Sequence, residues 1–327
     1  MFLAGCAART SAQPATHETI AKQAEEQRKT IPLTDEPVEQ ALLDGTKEDY
    51  ERLGDQYVRQ GNLTQAFAQY DRSLRQNPHQ SRVRGKRGLL YAKNGLWHEA
   101  QEEFLYILRD DAAYAPAHDG LGQVYLRWNR FPEAEESFRR ALQINPRLWK
   151  VHAFLGLLYD SQGSHTKAVT EFQAALVLKP AHQALSNSMG RAYYSMGRYD
   201  DAIQQFRQAL QTASSNPRIS NNLALALAKA GRYEEAFSAF HTHGDPGKAY
   251  NNLGVMYWTA GARDKAIACF QLAIEVGPAY DPTAGHNLAA IQSGSATQLH
   301  SKNETAEHAS VPCLPVGTVQ RMTASSP

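Results

Sequence analysis

The sequence of 327 residues is poor in the features that mark many protein classes. It has three cysteines, Cys6, Cys269 and Cys313, which are too few and too scattered for a disulfide framework or a zinc site. Its 34 Lys and Arg residues balance 33 Asp and Glu residues, so no overall field would recruit nucleic acid or an anionic membrane. No window reaches the roughly 18 apolar residues that a membrane-spanning helix needs. Any membrane contact is therefore expected to come through an anchor.

Motifs of catalysis are also missing. The chain has no phosphate-binding glycine loop, no G-x-S-x-G elbow and no H-E-x-x-H pair. The flanking segments, residues 1–46 and 293–327, are rich in Ala, Ser, Thr and other polar residues and read as a linker with short helices at most and a disordered tail. We therefore predict a protein that is not an enzyme and has no cofactor, metal site or small-molecule substrate.

What the sequence does contain is a repeat of thirty-four residues. A small residue recurs at this interval: Gly54, Gly88, Gly122, Gly156, Gly190 and then Ala224. A tyrosine lies three residues after each of the five glycines, and an alanine and an aromatic residue four apart follow, as in LGLLYDSQGSHTKAVTEF. The tyrosine falls on the apolar stripe of a first helix, and the small residue lets a second helix approach closely. Each unit is therefore predicted to be a short antiparallel helix pair.

These residues resemble the tetratricopeptide repeat, whose signature is this set of small and large residues. We identify seven repeats within residues 47–292, the last followed by DPTAGHNLAAIQ as a capping helix. The repeats begin near Lys47, Ser81, Ala115, Trp149, Gln183, Pro217 and Gly247. The resemblance implies an all-α, right-handed α-solenoid whose first helices line a concave groove for protein or peptide partners. The sixth repeat is four residues short at HTHGDPG, which predicts a truncated second helix.

Asparagines recur on the predicted first helices of the C-terminal repeats: Asn187, Asn221, Asn222, Asn251, Asn252 and Asn287. An amide both donates and accepts, so a ladder of amides can pair with a peptide backbone. The N-L-A and N-L-G triplets resemble the asparagine ladder of the O-linked N-acetylglucosamine transferase solenoid. The alternative is that these amides satisfy hydrogen bonds between repeats. We expect Arg191, Tyr194 and Trp258 in the same channel, either as anchor contacts for a partner or in ordinary helix packing.

The basic run SRVRGKRG, residues 81–88, lies on a predicted helix. It has no interleaved aromatic residues, which single-stranded nucleic acid would need for stacking. The pattern predicts a solvated helix face and no nucleic-acid partner.

The residues Leu3-Ala4-Gly5-Cys6 resemble the lipobox of bacterial lipoproteins, in which the cysteine is acylated. A polar tether follows, from Ala7 to about residue 37. Because a secretory signal needs a basic, apolar leader, we expect the true start to lie upstream of Met1. An anchor on Cys6 without an acidic neighbour predicts the periplasmic face of the bacterial outer membrane. The alternative is a cytoplasmic protein that contains LAGC by chance.

A lipobox, a tether and a tetratricopeptide solenoid together resemble the lipoproteins that help to assemble pili. Among these, the C-terminal repeats are most similar to the repeat protein of tight-adherence (Flp) pilus systems. The resemblance implies a secretin or pilus component as the partner. Two alternatives stay open: a general scaffold for peptidoglycan enzymes of the envelope, and a cytosolic co-chaperone or regulator.

Overall fold

The computed structural model describes residues 47–212, 216–242, 245–278 and 282–293, and within these ranges the chain forms fifteen α-helices and no strand. The lipobox with Cys6, the tether and residues 294–327 lie outside the described residues. The predictions made for them therefore stay predictions. The described helices alternate as seven pairs and end with one unpaired helix.

The first helices of the pairs are α1 (Lys47–Arg59), α3 (Ser81–Lys93), α5 (Ala115–Arg127), α7 (Trp149–Ser161), α9 (Gln183–Ser195), α11 (Pro217–Lys229) and α13 (Pro246–Thr259). The second helices are α2 (Leu63–Gln76), α4 (Trp97–Asp110), α6 (Phe131–Ile144), α8 (His165–Leu178), α10 (Tyr199–Thr212), α12 (Tyr233–His241) and α14 (Arg263–Val276). The last helix is α15 (Thr283–Gln292), at the place predicted for the cap. The predicted all-α repeat solenoid is confirmed.

The chain divides into two compact units, residues 1–83 and residues 84–327. In the described part of the first unit, α1 packs on α2, and the Tyr70 hydroxyl donates to Asp55 Oδ1 at 2.7 Å. In the second unit, each helix from α4 to α15 packs on the next helix along the chain. The buried core of the second unit consists of three clusters, each built from contacts between neighbouring helices.

One close contact between the two helices of a pair recurs in six of the seven pairs. A glycine of the first helix lies against a ring of the second helix, so that a Cβ added to Gly122 would lie 2.4 Å from Cε1 of Phe138. The pairs are Gly54 with Tyr70, Gly88 with Phe104, Gly122 with Phe138, Gly156 with Phe172, Gly190 with Phe206, and Gly254 with Phe270. All six rings are almost fully buried. The thirty-four-residue recurrence of glycine is therefore a packing requirement.

The sixth pair departs from this pattern. Ala224 takes the place of the glycine, and Phe240, which takes the place of the ring, is only partly buried. Helix α12 has 9 residues, whereas every other second helix has 14. The predicted truncation is thus confirmed. A pocket lies here between α10, α11 and α12, with Leu210, Leu223 and Leu227 among its lining residues.

The basic run on α3 is only in part the solvated face that we predicted: the Arg82 side chain is 71% exposed, but Arg84 and Arg87 are not. Arg84 Nη1 lies 3.0 Å from Glu103 Oε2, and Arg87 Nη2 lies 2.5 Å from Glu103 Oε1. The Arg84 guanidinium also lies 3.6 Å from the centre of the Tyr106 ring. Their side chains are only 14% and 13% exposed. The prediction is wrong for these two residues because Glu103, on α4, supplies a buried counter-charge.

Candidate protein-binding surface

The first helices of the second unit form a layer of their own. Each first helix contacts the next first helix along the chain: α5 contacts α7, α7 contacts α9, α9 contacts α11, α11 contacts α13, and α13 contacts α15. In the described part of the chain, no comparable set of contacts joins consecutive second helices. The first helices are therefore the more closely spaced, inner layer. We call the solvent-facing side of α5, α7, α9, α11, α13 and α15 the first-helix surface.

Two pairs of asparagines bridge successive helices on this layer. Asn222 Nδ2 donates to Asn187 Oδ1 at 3.0 Å, and Asn287 Nδ2 donates to Asn251 Oδ1 at 2.9 Å. In both, the residue before the leucine of the pattern bonds to a residue in the preceding first helix. The amides thus form hydrogen bonds between repeats. Because an amide carries two N–H donors and two acceptor lone pairs, each side chain also keeps capacity for a partner.

The other two asparagines of the predicted ladder are Asn221 and Asn252. Asn221 is exposed and Asn252 is partly buried. Among the described contacts of α11 and α13, no hydrogen bond joins these two amides. The bridging is therefore interrupted beside the shortened helix α12, which packs against both α11 and α13.

The remaining predicted residues differ in how far they reach into solvent. Arg191 is 58% exposed, and its Nη2 lies 3.9 Å from Asp160 Oδ2 of the preceding first helix. The Tyr194 ring lies 5.5 Å from the Tyr199 ring in an edge-on arrangement, and burial raises the pKa of the Tyr194 hydroxyl. Trp258 is partly buried and packs against the core. Arg191 therefore offers an exposed charge, whereas the two aromatic residues also stabilise the fold.

A pocket that was not predicted from the sequence lies between α4, α5 and α7. Its lining residues are Trp97, Gln123, Leu126, Arg127, Asn129 and Phe154. Asn129 has a φ of 58° at the turn where the other six pairs have a glycine with positive φ. Asparagine tolerates this conformation and adds a side chain to the pocket that glycine would not. The sign of this pocket in the sequence is the replacement of the turn glycine by Asn129, which by itself does not predict that Trp97 and Phe154 lie beside it.

Within the described ranges, no group of three or more His, Cys, Asp or Glu residues is placed to hold a metal ion. None of the described helices is both long enough and apolar enough to span a bilayer.

The stacked helix pairs and the layer of first helices define a repeat scaffold. The profiles of the tetratricopeptide repeat match residues 51–116, 86–148, 120–182, 187–247 and 247–280. The chain belongs to the tetratricopeptide repeat family. Proteins of this family are generally non-catalytic scaffolds for interactions between proteins.

Individual proteins are similar to parts of the chain. A stretch of 74 residues, 23% of this chain, is 36% identical to the TPR repeat-containing thioredoxin TTL4 of Arabidopsis thaliana, of which it covers 11%. The thermophilic TPR protein TTC0263 of Thermus thermophilus is 25% identical with a TM-score of 0.48, over 56% of this chain and 99% of that one. PilW, a widely conserved type IV pilus biogenesis factor, is 19% identical with a TM-score of 0.54, over 59% of this chain and 90% of PilW.

Proposed function

We propose that the chain is a non-enzymatic scaffold that binds a protein or peptide partner on its first-helix surface. The observation that carries this proposal is the repeated placement of asparagine amides at equivalent points of successive first helices. Amides in such a row are able to form hydrogen bonds with the backbone of an extended segment, and these bonds place few constraints on its side chains. Exposed Arg191 lies on the same layer and supplies a charged contact.

We also propose that the protein is a lipoprotein, anchored through Cys6 to the periplasmic face of the outer membrane, that helps to assemble a pilus or secretion complex. The support is the LAGC sequence, the polar segment that follows it, and the resemblance of this arrangement to pilus-assembly lipoproteins. PilW, a type IV pilus biogenesis factor, shares the fold.

Labelling with a palmitate analogue tests the anchor. The gene is expressed with its upstream codons in the native bacterium, as wild type, as Cys6→Ala and as Cys313→Ala. Label on wild type and Cys313→Ala, with none on Cys6→Ala, supports the proposal. Equal labelling of all three shows that Cys6 is not the site of acylation and contradicts the proposal, whereas no label on any of them contradicts it and favours the cytosolic alternative.

Affinity purification tests the class of partner. Wild type is compared with Arg191→Ala/Asn221→Ala, two exposed residues of the first helices, and with a matched double variant of exposed second-helix residues, Arg140→Ala/Gln271→Ala. We expect a secretin or pilus component to co-purify with wild type and the matched control, and to be reduced with the first-helix variant. Recovery of a peptidoglycan hydrolase or synthase instead indicates the general envelope scaffold.

A further inference from the structure

Charge in the second unit is divided between the two layers of helices. The first helices of the five pairs from α5 to α14 contain six Lys and Arg residues, two Asp and no Glu. The cations are Arg127, Lys150, Arg191, Arg218, Lys229 and Lys248, and the two acids are Asp119 and Asp160. This layer therefore carries an excess of four positive charges.

The second helices of the same five pairs have the opposite balance. They contain six Lys and Arg residues against ten Asp and Glu residues. The acids are Glu133, Glu135, Glu136, Glu171, Asp200, Asp201, Glu234, Glu235, Asp264 and Glu275. Because the whole chain has a formal net charge of only +1, this division is a property of the layers and does not reflect overall composition.

The six first-helix cations are all exposed, whereas the two carboxylates are engaged locally. Asp119 accepts a hydrogen bond from Gln123 Nε2 at 2.9 Å, and burial raises the pKa of its carboxyl. Asp160 Oδ1 lies 2.8 Å from His165 Nδ1. Asp160 Oδ2 also lies 3.9 Å from Arg191 Nη2, and the excess of four positive charges remains on the solvent side of this layer.

The cations flank the amides along the helix axes. Lys150, Arg218 and Lys248 lie at the N-terminal ends of their helices, and Arg127 and Lys229 lie at the C-terminal ends of theirs. At a rise of about 1.5 Å per residue, the eleven steps from Arg218 to Lys229 span roughly 16 Å. An extended chain, which occupies about 10 Å between packed faces, is narrower than this separation.

Apolar groups are available beside these charges. Leu157 is 42% exposed on α7, and the pocket containing Trp97 and Phe154 adjoins Arg127, whose guanidinium lies 6.0 Å from the centre of the Trp97 ring. The surface thus combines cations with a place for one large apolar side chain.

We propose that the first-helix surface from α5 to α13 binds an acidic, extended peptide segment that carries a large apolar residue. This inference rests on the proposed function and specifies the chemistry of the partner. The pattern favours a peptide over single-stranded nucleic acid, because sequence-tolerant nucleic-acid sites stack bases on exposed aromatic rings. Here the Tyr194 and Trp258 rings are partly buried in protein contacts.

Fluorescence anisotropy on the full chain tests the inference with three labelled peptides of equal length. Each carries the same leucines and one tyrosine, and the remaining positions are Glu, Gln or Lys. We expect the Glu peptide to bind at least about tenfold more tightly than the other two, and the preference to shrink as salt is raised from about 50 mM to about 300 mM.

Charge-reversal variants show which surface is responsible for the preference for the Glu peptide. Arg218→Glu/Lys248→Glu is compared with Arg140→Glu/Lys179→Glu, a double variant of exposed residues outside the first helices that changes the net charge equally. Only the first-helix variant should lose the preference for the Glu peptide. An equal loss in both variants assigns the preference to overall charge and overturns the inference.

Other outcomes also decide the question. Equal binding of all three peptides overturns the acidic preference and leaves the scaffold function standing. Tighter binding of a single-stranded oligonucleotide than of the Glu peptide indicates a nucleic-acid site instead. If no peptide binds but the natural partner still co-purifies, the inference fails while the proposed function survives.

Discussion

The side-chain amide of Asn222 donates to Asn187 Oδ1 at 3.0 Å, across thirty-five positions of sequence and between two successive first helices. Asn287 and Asn251 form the same contact at 2.9 Å, thirty-six positions apart. The register of the layer is thus fixed in part by polar contacts on the surface that we propose for binding. Stability and binding are consequently coupled at these residues.

The Asn187–Asn222 bond should contribute measurably to stability. A double-mutant cycle with Asn187→Ala and Asn222→Ala, measured by urea unfolding, should give a coupling free energy of about 0.5–1.5 kcal/mol, as expected for one partly buried hydrogen bond. Asn252→Ala is the control, and it should change the free energy of unfolding by less than about 0.5 kcal/mol. Additive effects of Asn187→Ala and Asn222→Ala would show that the bond is not formed in solution.

The contact between Gly122 and Phe138 leaves no room for a methyl group. A Cβ at this position would lie 2.4 Å from the ring, so Gly122→Ala should lower the free energy of unfolding by about 1–3 kcal/mol despite the better helix propensity of alanine. Combining it with Phe138→Leu tests the mechanism, because the smaller side chain should make the effect of Gly122→Ala much less than in wild type. Equal effects in the two backgrounds would exclude the steric explanation.

Glu103 holds two guanidinium groups that are largely removed from water. Glu103→Ala should destabilise the fold by about 3 kcal/mol, since it leaves the charges of Arg84 and Arg87 without this buried carboxylate. Asp201→Asn removes an exposed partner of Arg198 and should cost less than about 1 kcal/mol. Similar losses in both variants, measured by chemical unfolding, would contradict the buried role of Glu103.

The contact between His152 and Glu171 predicts a dependence on pH. His152 Nδ1 lies 2.7 Å from Glu171 Oε2, and this hydrogen bond raises the pKa of the imidazole above its ordinary value of 6.5. A raised folded-state pKa adds stability that is complete below pH 6.5 and is lost as the pH rises through the folded pKa.

Glu171→Gln should therefore destabilise more at pH 5.5 than at pH 8.5, by about 0.5 kcal/mol after allowance for solvent screening. Thermal unfolding of wild type and variant at the two pH values measures the difference. A larger loss of stability at pH 8.5 than at pH 5.5 would contradict the expectation that Glu171 stabilises the protonated imidazole of His152.

The sequence was sufficient for the features that repeat. The glycine and ring positions recur every thirty-four residues because one packed contact recurs, so Gly122 and its equivalents predicted the helix pairs. The shortening of α12 could also be predicted, because the sixth repeat lacks four residues, which amount to about one helical turn. Side-chain contacts between helices could not be predicted in this way. That Asn222 bonds to Asn187, or that Glu103 meets Arg84 and Arg87, depends on side-chain direction and helix spacing.

The division of charge between the two layers of helices could be predicted only in part. It follows from the sequence once helix bounds are known, yet each thirty-four-residue unit read by itself is near neutral. The pocket at Asn129 is similar, because a single departure from the turn glycine has no meaning until Trp97 and Phe154 are placed beside it. Predicting the function of a repeat surface therefore requires a comparison of the repeats with one another.

Site-specific photo-crosslinking in the native host cell tests the central claim most directly. A benzophenone amino acid replaces Tyr194 or Arg191 on the first-helix surface, or exposed Arg140 or Gln271 on the second helices. We predict that one partner protein crosslinks at positions 191 and 194, and that positions 140 and 271 give little of this product. Equal or stronger crosslinking of that partner from the second helices would contradict the account.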